Sequence, residues 1–363
     1  MIRMKQYLLT AVLLCMVFLF AACGEKEADT PLPEAEAPVV ATSGITTPDP
    51  NWPPEGVKTE LTLSMIGDCT LSSSQYNNDY EKVLDGDCTW PFSGTIQYLG
   101  QDDFTLANLE CAFSDEPMTG AYTFYFYGPT SHAEILTEGS VECVTMGNNH
   151  TEDFGQKGID RTHDALDAVG MPYIDADDCR IFEVEGMHLG VYVAPYMPTV
   201  EDVQSGVVAL QERGADIIVV CAHWGNEGTY HPTTEQQEVG HAAIDAGADI
   251  VYGTHPHVLQ PMEQYGDGYI LYSMGNFSFG GNTAPRDRDA AIAQAHIALS
   301  RDGLHSVESL EFIPCCLSST EKVNDYRPQP YEEGSEEYVR TMSKLNGTFD
   351  GPDLTINYSS LTG

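Results

Sequence analysis

Basic residues are scarce in this chain of 363 residues. Sixteen lysines and arginines stand against 55 aspartates and glutamates, a formal charge of −39. A field of that sign repels polyanions, which excludes nucleic acid and anionic lipid headgroups as partners held by direct charge. It suits a soluble, exported surface protein or one that binds cations. No internal repeat is present, which excludes a solenoid or a propeller. The N-terminal apolar run, Leu8 to Phe20, is too short for a membrane-spanning helix. The cysteine pattern does not resemble a small disulfide scaffold. Apolar content is ordinary at 42%, so a chain of this length can bury a large core in one big domain or two.

Arg3 and Lys5 precede that apolar run, which ends in Leu19-Phe20-Ala21-Ala22-Cys23-Gly24. A basic stretch, a short apolar stretch and small residues before a cut mark a secretory signal. A cysteine directly after the small residues resembles a bacterial lipobox. That resemblance implies a signal peptide over residues 1–22, cleavage before Cys23, lipidation of its thiol and a place on the extracytoplasmic face of the cell membrane. Residues 23–58 read as the lipidated cysteine and a disordered tether, rich in Pro, Ala, Glu and Thr. Residues 59–320 read as the folded domain and 321–363 as a helical or irregular tail. Export permits disulfides. Cys143 and Cys221 lie in apolar runs and read as buried thiols, Cys69 and Cys88 flank a loop and could pair, and the vicinal Cys315-Cys316 carries no assignment.

The central stretch runs from Asp216 to Phe279. Apolar strands at Asp216 to Ala222, Asp249 to Tyr252 and Tyr269 to Ser273 each deliver a polar loop. Between the first two, the Thr233/Gln236 capping pair opens a helix that closes near Gly247. Upstream, strands are expected at Leu61 to Ile66, Phe104 to Ala107 and Val141 to Met146, with the polar stretch around Asn77 to Asp87 as a long loop. Tyr122 to Tyr127 is an aromatic strand candidate. Helices are expected at Ser93 to Gly100, Ser131 to Gly139, Gln156 to Val169 and Tyr331 to Leu345. Phe182 to Ala194 reads as a hairpin turning at Glu185-Gly186, and Ala290 to Leu299 with His305 to Ile313 as another across Arg301-Asp302-Gly303.

Residues just past the C-terminal ends of parallel strands converge on one rim, where ligands bind. Five such ends carry Asp68, Asn108 with Glu110, Asn149 with His150, His223, and His255 with His257. A divalent cation needs several N and O donors about 2.0–2.2 Å from one point, and ligands spread over strand ends meet that need. His132, His163, His188, His241 and His305 lie in expected helices, turns or strands and read as structural or surface residues.

Gly67-Asp68, Asn108-Leu109-Glu110, Asn148-Asn149-His150, His223-Trp224-Gly225, Gly253-Thr254-His255-Pro256-His257-Val258 and Ser273-Met274-Gly275-Asn276-Phe277 resemble a known motif series. It is that of the bacterial capsule-synthesis proteins of the CapA (poly-γ-glutamate capsule) family. The resemblance covers residues 60 to 300 in order, and that family is similar to the calcineurin-like metallophosphoesterases. It implies an α/β fold, a four-layer α-β-β-α sandwich of two mixed β-sheets flanked by helices. It also implies one or two divalent ions (Mn, Zn or Fe) held by Asp68, Asn108 or Glu110, Asn149, His223, His255 and His257, with His150 catalytic and Asp153 orienting it.

The chain departs from the phosphoesterase pattern at Thr70, where a histidine is usual, and at Asn108-Leu109-Glu110, where a bridging aspartate is usual. One centre, from Glu110 or Asn108, Asn149, His223 and His255, keeps its donors. The other, from Asp68 and His257, is one short. Two functions follow from the resemblance. One is a metal-dependent hydrolase acting on a phosphoester or an anionic polymer. The other is a non-catalytic surface component of a membrane polymer-synthesis complex, in which metal shapes a binding site.

Overall fold

The computed structural model describes residues 60–74, 79–120, 124–300 and 303–356. The expected signal peptide, Cys23 and the expected tether lie outside the described residues.

Two large sheets form the frame. The first runs, in spatial order, Gln329–Pro330, His305–Cys316, Asp289–Leu299, Glu60–Thr70, Phe104–Leu109, Cys143–Met146 and Tyr173–Asp175. Asn276–Phe279 pairs parallel with the end of Glu60–Thr70. The second runs Met262–Tyr265, Gly268–Leu271, Ile250–Thr254, Ile217–His223, Met187–Val193 and Asp178–Val184. Both are mixed: the first is antiparallel from Gln329–Pro330 to Glu60–Thr70 and parallel from there to Tyr173–Asp175, whereas the second has parallel strands at its centre and an antiparallel pair at each edge.

The sheets face each other across one apolar layer, to which Leu63, Met65, Leu106 and Cys143 contribute from the first and Leu189, Val191, Val219 and Tyr252 from the second. Helices Ala133–Glu138 and Gly155–Val169 cover the outer face of the first sheet through Ile135, Leu136, Ala165 and Leu166. Helices Val200–Glu212 and Thr234–Ala246 cover the second through Val203, Val207, Val239 and Ala243. The result is the expected α-β-β-α sandwich. A strand covered on both faces needs apolar side chains in both directions, and every residue of Ile217–His223 is buried.

Local signals hold where they are self-contained. Thr233 and Gln236 form a reciprocal capping box, and Gly247 ends that helix at φ 110°. Asp178–Val184 and Met187–Val193 form the expected hairpin around Glu185-Gly186. Asp289–Leu299 and His305–Cys316 form the other, with residues 301 and 302 outside the described residues.

Several expectations are corrected. Cys69 and Cys88 are free thiols. Cys69 is buried in its strand with its thiol toward the Gly67 carbonyl at 3.5 Å, whereas Cys88 reaches the Ser131 carbonyl at 3.6 Å. The polar stretch after Thr70 contains a helix, Asp79–Leu84. Of the aromatic stretch, among the described residues only Tyr127 joins a named strand, Tyr127–Gly128. The first short helix contracts to Ile96–Leu99. The last helix begins at Glu336 rather than Tyr331, because Gln329–Pro330 pairs with Cys315 and Cys316 and Ser335 caps the helix by accepting from the Tyr338 amide.

Candidate metal centre

Strand register brings the polar residues together. Asp68 lies opposite Asn108 on one neighbouring strand and Asn276 on the other. Asn108 lies opposite Thr145, and Thr254 opposite His223. Two glycines permit the close approach. A Cβ at Gly67 would sit 2.3 Å from the Gly275 carbonyl oxygen, and one at Gly253 would sit 2.3 Å from that of Tyr272. His255 and His257 adopt positive φ, 99° and 56°, a conformation that costs on the order of 1–3 kcal/mol per non-glycine residue and persists only where the surroundings enforce it.

Nε2 of His223 is the hub of one donor group. It lies 2.7 Å from Asn149 Oδ1, 3.1 Å from His255 Nδ1 and 3.4 Å from Glu110 Oε1. Ligands about 2.1 Å from a shared ion are about 3.0–3.4 Å from one another, so the spacing suits one cation. Nδ1 of His223 is 2.8 Å from Thr254 Oγ1; the tautomer protonated there donates to the hydroxyl and leaves Nε2 as a lone pair. Burial pushes His223 down to about 3 and holds His255 below its ordinary value, so both rings are neutral.

The second group comprises Asp68, Glu110 and His257, whose ligand atoms lie within 4.8 Å of one another. Asp68 Oδ2 is 3.3 Å from His257 Nδ1, and Glu110 Oε1 is 3.8 Å from His257 Nε2. Although burial works in the opposite direction for both, His257 beside it holds Asp68 below the usual carboxylate range, and Glu110, with the Asp68 carboxylate, lifts His257 to about 10. Glu110 belongs to both groups. Its two oxygens are buried and accept no hydrogen bond, and burial, with Asp68 beside it, pushes its carboxyl up to about 8. A buried carboxylate without a donor is costly, and a cation between the two groups satisfies it. The residues therefore fit one or two divalent ions.

Asn108 fits a positioning place better than a ligand's. Its amide nitrogen donates to Asp68 Oδ1 at 2.9 Å, and its oxygen accepts from Asn148 Nδ2 at 3.1 Å. His150 stands beside the groups with Nδ1 2.9 Å from Asp153 Oδ2, which also accepts from the Phe126 amide at 3.1 Å. The Phe126 ring meets the His150 imidazole edge-on at 4.7 Å between centroids. His163, His188 and His241 pair with Asp175, Asp216 and Glu263 instead.

Three participants carry no role in the sequence reading. Asn148 donates to the Leu109 carbonyl at 2.8 Å and accepts from the His150 amide at 3.0 Å, tying two motif loops together. Asn276 Oδ1 lies 2.9 Å from His257 Nδ1; its place in Gly-Asn-Phe at a strand end was the available signal. Tyr196 overhangs the site with its ring 5.3 Å from that of His255, from a loop with no motif.

Residues 62–281 match the family described as bacterial capsule synthesis protein PGA_cap. The chain is 26% identical over 276 residues to capsule biosynthesis protein CapA of Bacillus anthracis, covering 66% of this chain and 64% of that one. It is 30% identical over 202 residues to PGA biosynthesis protein CapA of Bacillus subtilis strain 168, covering 49% and 53%. The chain thus spans less than two thirds of either relative's length. Among solved structures, NAD nucleotidase (NadN) of Haemophilus influenzae aligns with a TM-score of 0.43 at 13% identity, covering 84% of this chain and 66% of that one. With the family match spanning more than half of the sequence, from the first central strand to just past the Gly-Asn-Phe motif, this chain belongs to the bacterial capsule synthesis (PGA_cap) family.

Proposed function

We propose that this chain is a lipid-anchored, extracytoplasmic component of capsule or poly-γ-glutamate biosynthesis or export with a metal-dependent, hydrolase-like site. The carrying observation is Glu110, whose carboxyl oxygens are both buried and accept no hydrogen bond, placed between two groups of ligand atoms. Glu110, Asn149, His223 and His255 would hold one divalent ion, and Asp68, Glu110 and His257 would take part in holding a second. The bound metal would supply Lewis-acid polarisation of a phosphoryl or amide oxygen and activation of water. His150, held by Asp153 through Nδ1, keeps its other ring nitrogen for a proton and would give it to the leaving group. The names of the Bacillus relatives support an anionic polymer as substrate and a membrane synthesis complex as partner. A cation in the site would bridge a negatively charged substrate to a chain of charge −39.

One observation favours a second reading, a non-catalytic binding component. Thr70 replaces a ligand and turns its hydroxyl to the Glu110 carbonyl at 3.2 Å. A screen of phosphoesters and polyglutamate with the metal-loaded chain separates the two. Metal-dependent turnover that His150→Ala abolishes supports the hydrolase. No turnover with any of them, alongside saturable polymer binding, supports the binding component.

A further inference from the structure

Thr70 leaves the second donor group one ligand short. It is fully buried and its hydroxyl is committed to a backbone carbonyl at 3.2 Å, so it is unavailable to an ion. Beside His255 and His257 a carboxylate stands unused. Ligand atoms of Glu227, His255 and His257 lie within 4.8 Å of one another, and Glu227 has no hydrogen-bond or ion-pair partner among the described residues.

The loop that carries Glu227 is anchored on several sides. Trp224 donates its amide to the Thr254 carbonyl at 3.1 Å and its indole to that of Tyr272 at 2.9 Å. Gly225 and Gly228 take φ of 84° and 75°, turning the chain on either side of Asn226 and Glu227. The Gly228 amide then donates to the Pro256 carbonyl at 2.8 Å, between the two histidines. Leu354 closes the outside by donating to the Gly228 carbonyl at 2.9 Å. The carboxylate is thus fixed to the histidine loop itself.

We propose that Glu227 is a ligand of the second metal centre, replacing from the His223 loop the side chain that Thr70 does not supply. Resting on the two-centre reading above, this assigns the second ion to Asp68, Glu110, Glu227 and His257. Three carboxylates and one imidazole form a harder, more negative set than the Glu110, Asn149, His223 and His255 group. Such a set suits a Mn²⁺-like ion better than a thiophilic one. Asn276 orients the His257 ring, its Oδ1 lying 2.9 Å from Nδ1, the nitrogen that also faces Asp68 at 3.3 Å, while Nε2 faces Glu110 at 3.8 Å.

The test is calorimetric titration of the metal-stripped full chain with Mn²⁺, with elemental analysis of the loaded protein, for the parent and Glu227→Gln. The amide keeps the shape of the side chain at a half-exposed position, and an unchanged thermal unfolding midpoint of the stripped variant checks its fold. The expected result is two ions per parent chain and one per variant, the second affinity having fallen at least about 100-fold, since even outer-shell changes cost about 10–100-fold. Two ions in both proteins with unchanged affinities would overturn the assignment, as would one ion in both or loss of both ions in the variant. No ion in the parent would overturn the metal-centre reading itself, a different outcome from these.

Discussion

Nε2 of His223 faces Nδ1 of His255 at 3.1 Å, and burial keeps both rings neutral. Each ring nitrogen pair can hold a single proton, and that of His223 has an acceptor in Thr254. With the His255 proton on Nε2, the space between the rings, bounded also by Asn149 and Glu110 oxygens, is lined by lone pairs. Such a cluster is stable around a cation and unfavourable without one.

His150 lies outside that ring of lone pairs, held by Asp153 at 2.9 Å. His150→Ala is expected to leave the metal content unchanged and to lower kcat of the loaded protein by about 10²–10⁴-fold, the usual worth of a positioned general acid. Elemental analysis beside initial rates checks this; loss of metal would make His150 a ligand instead.

Asn148 satisfies the Leu109 carbonyl, the Asn108 side-chain oxygen and the His150 amide at once. Asn148→Ala leaves these groups short of partners in a buried site, at a cost of about 1–3 kcal/mol for each one left unsatisfied. Urea unfolding is expected to show that loss, with weakened metal binding because Asn108 no longer holds Asp68 in place.

Lys344, 3% exposed, joins the last helix to the first sheet through Asp287 at 2.6 Å and Asp289 at 2.8 Å. Removing one partner of a buried ion pair strands the others. Lys344→Met is expected to destabilise the fold by about 3–5 kcal/mol in denaturant unfolding, although the residue lies in the C-terminal stretch 321–363, whose sequence reads as a tail.

Asp249 titrates far from the metal groups. Burial raises its carboxyl to about 6 although it accepts the Ile218 amide at 2.7 Å. Its unfolded value is about 3.9, so the folded chain binds more protons between the two values and stability from this group is lost as pH rises through about 6. Asp249→Asn keeps the accepting oxygen and removes the titration. The variant's stability relative to the parent should rise between pH about 4 and 6 and level off above about 7, measured by urea unfolding across that range.

Much of this was legible in the sequence because its causes are local. The Thr233/Gln236 box and Gly247 bound a helix within a few residues of one another, and the unbroken apolar run before His223 belongs to a strand covered on both faces. The histidines after strand ends found the rim. What stayed hidden depends on distant partners. Choosing Glu110 over Asn108 as donor requires knowing that Asn148 and Asp68 engage the Asn108 amide. The shift of the last helix to Glu336 depends on Gln329–Pro330 pairing with the far end of a hairpin. Cys69 and Cys88 flank one loop in the sequence, yet their thiols point to different backbone carbonyls.

The central claim is that the His223 and His255 loops hold metal. Elemental analysis of the chain supplied with Mn²⁺ or Zn²⁺, beside His223→Ala/His255→Ala, tests it most directly. The account predicts stoichiometric metal in the parent and loss of at least one ion in the double variant. No metal in the parent, or equal metal in both, would contradict it.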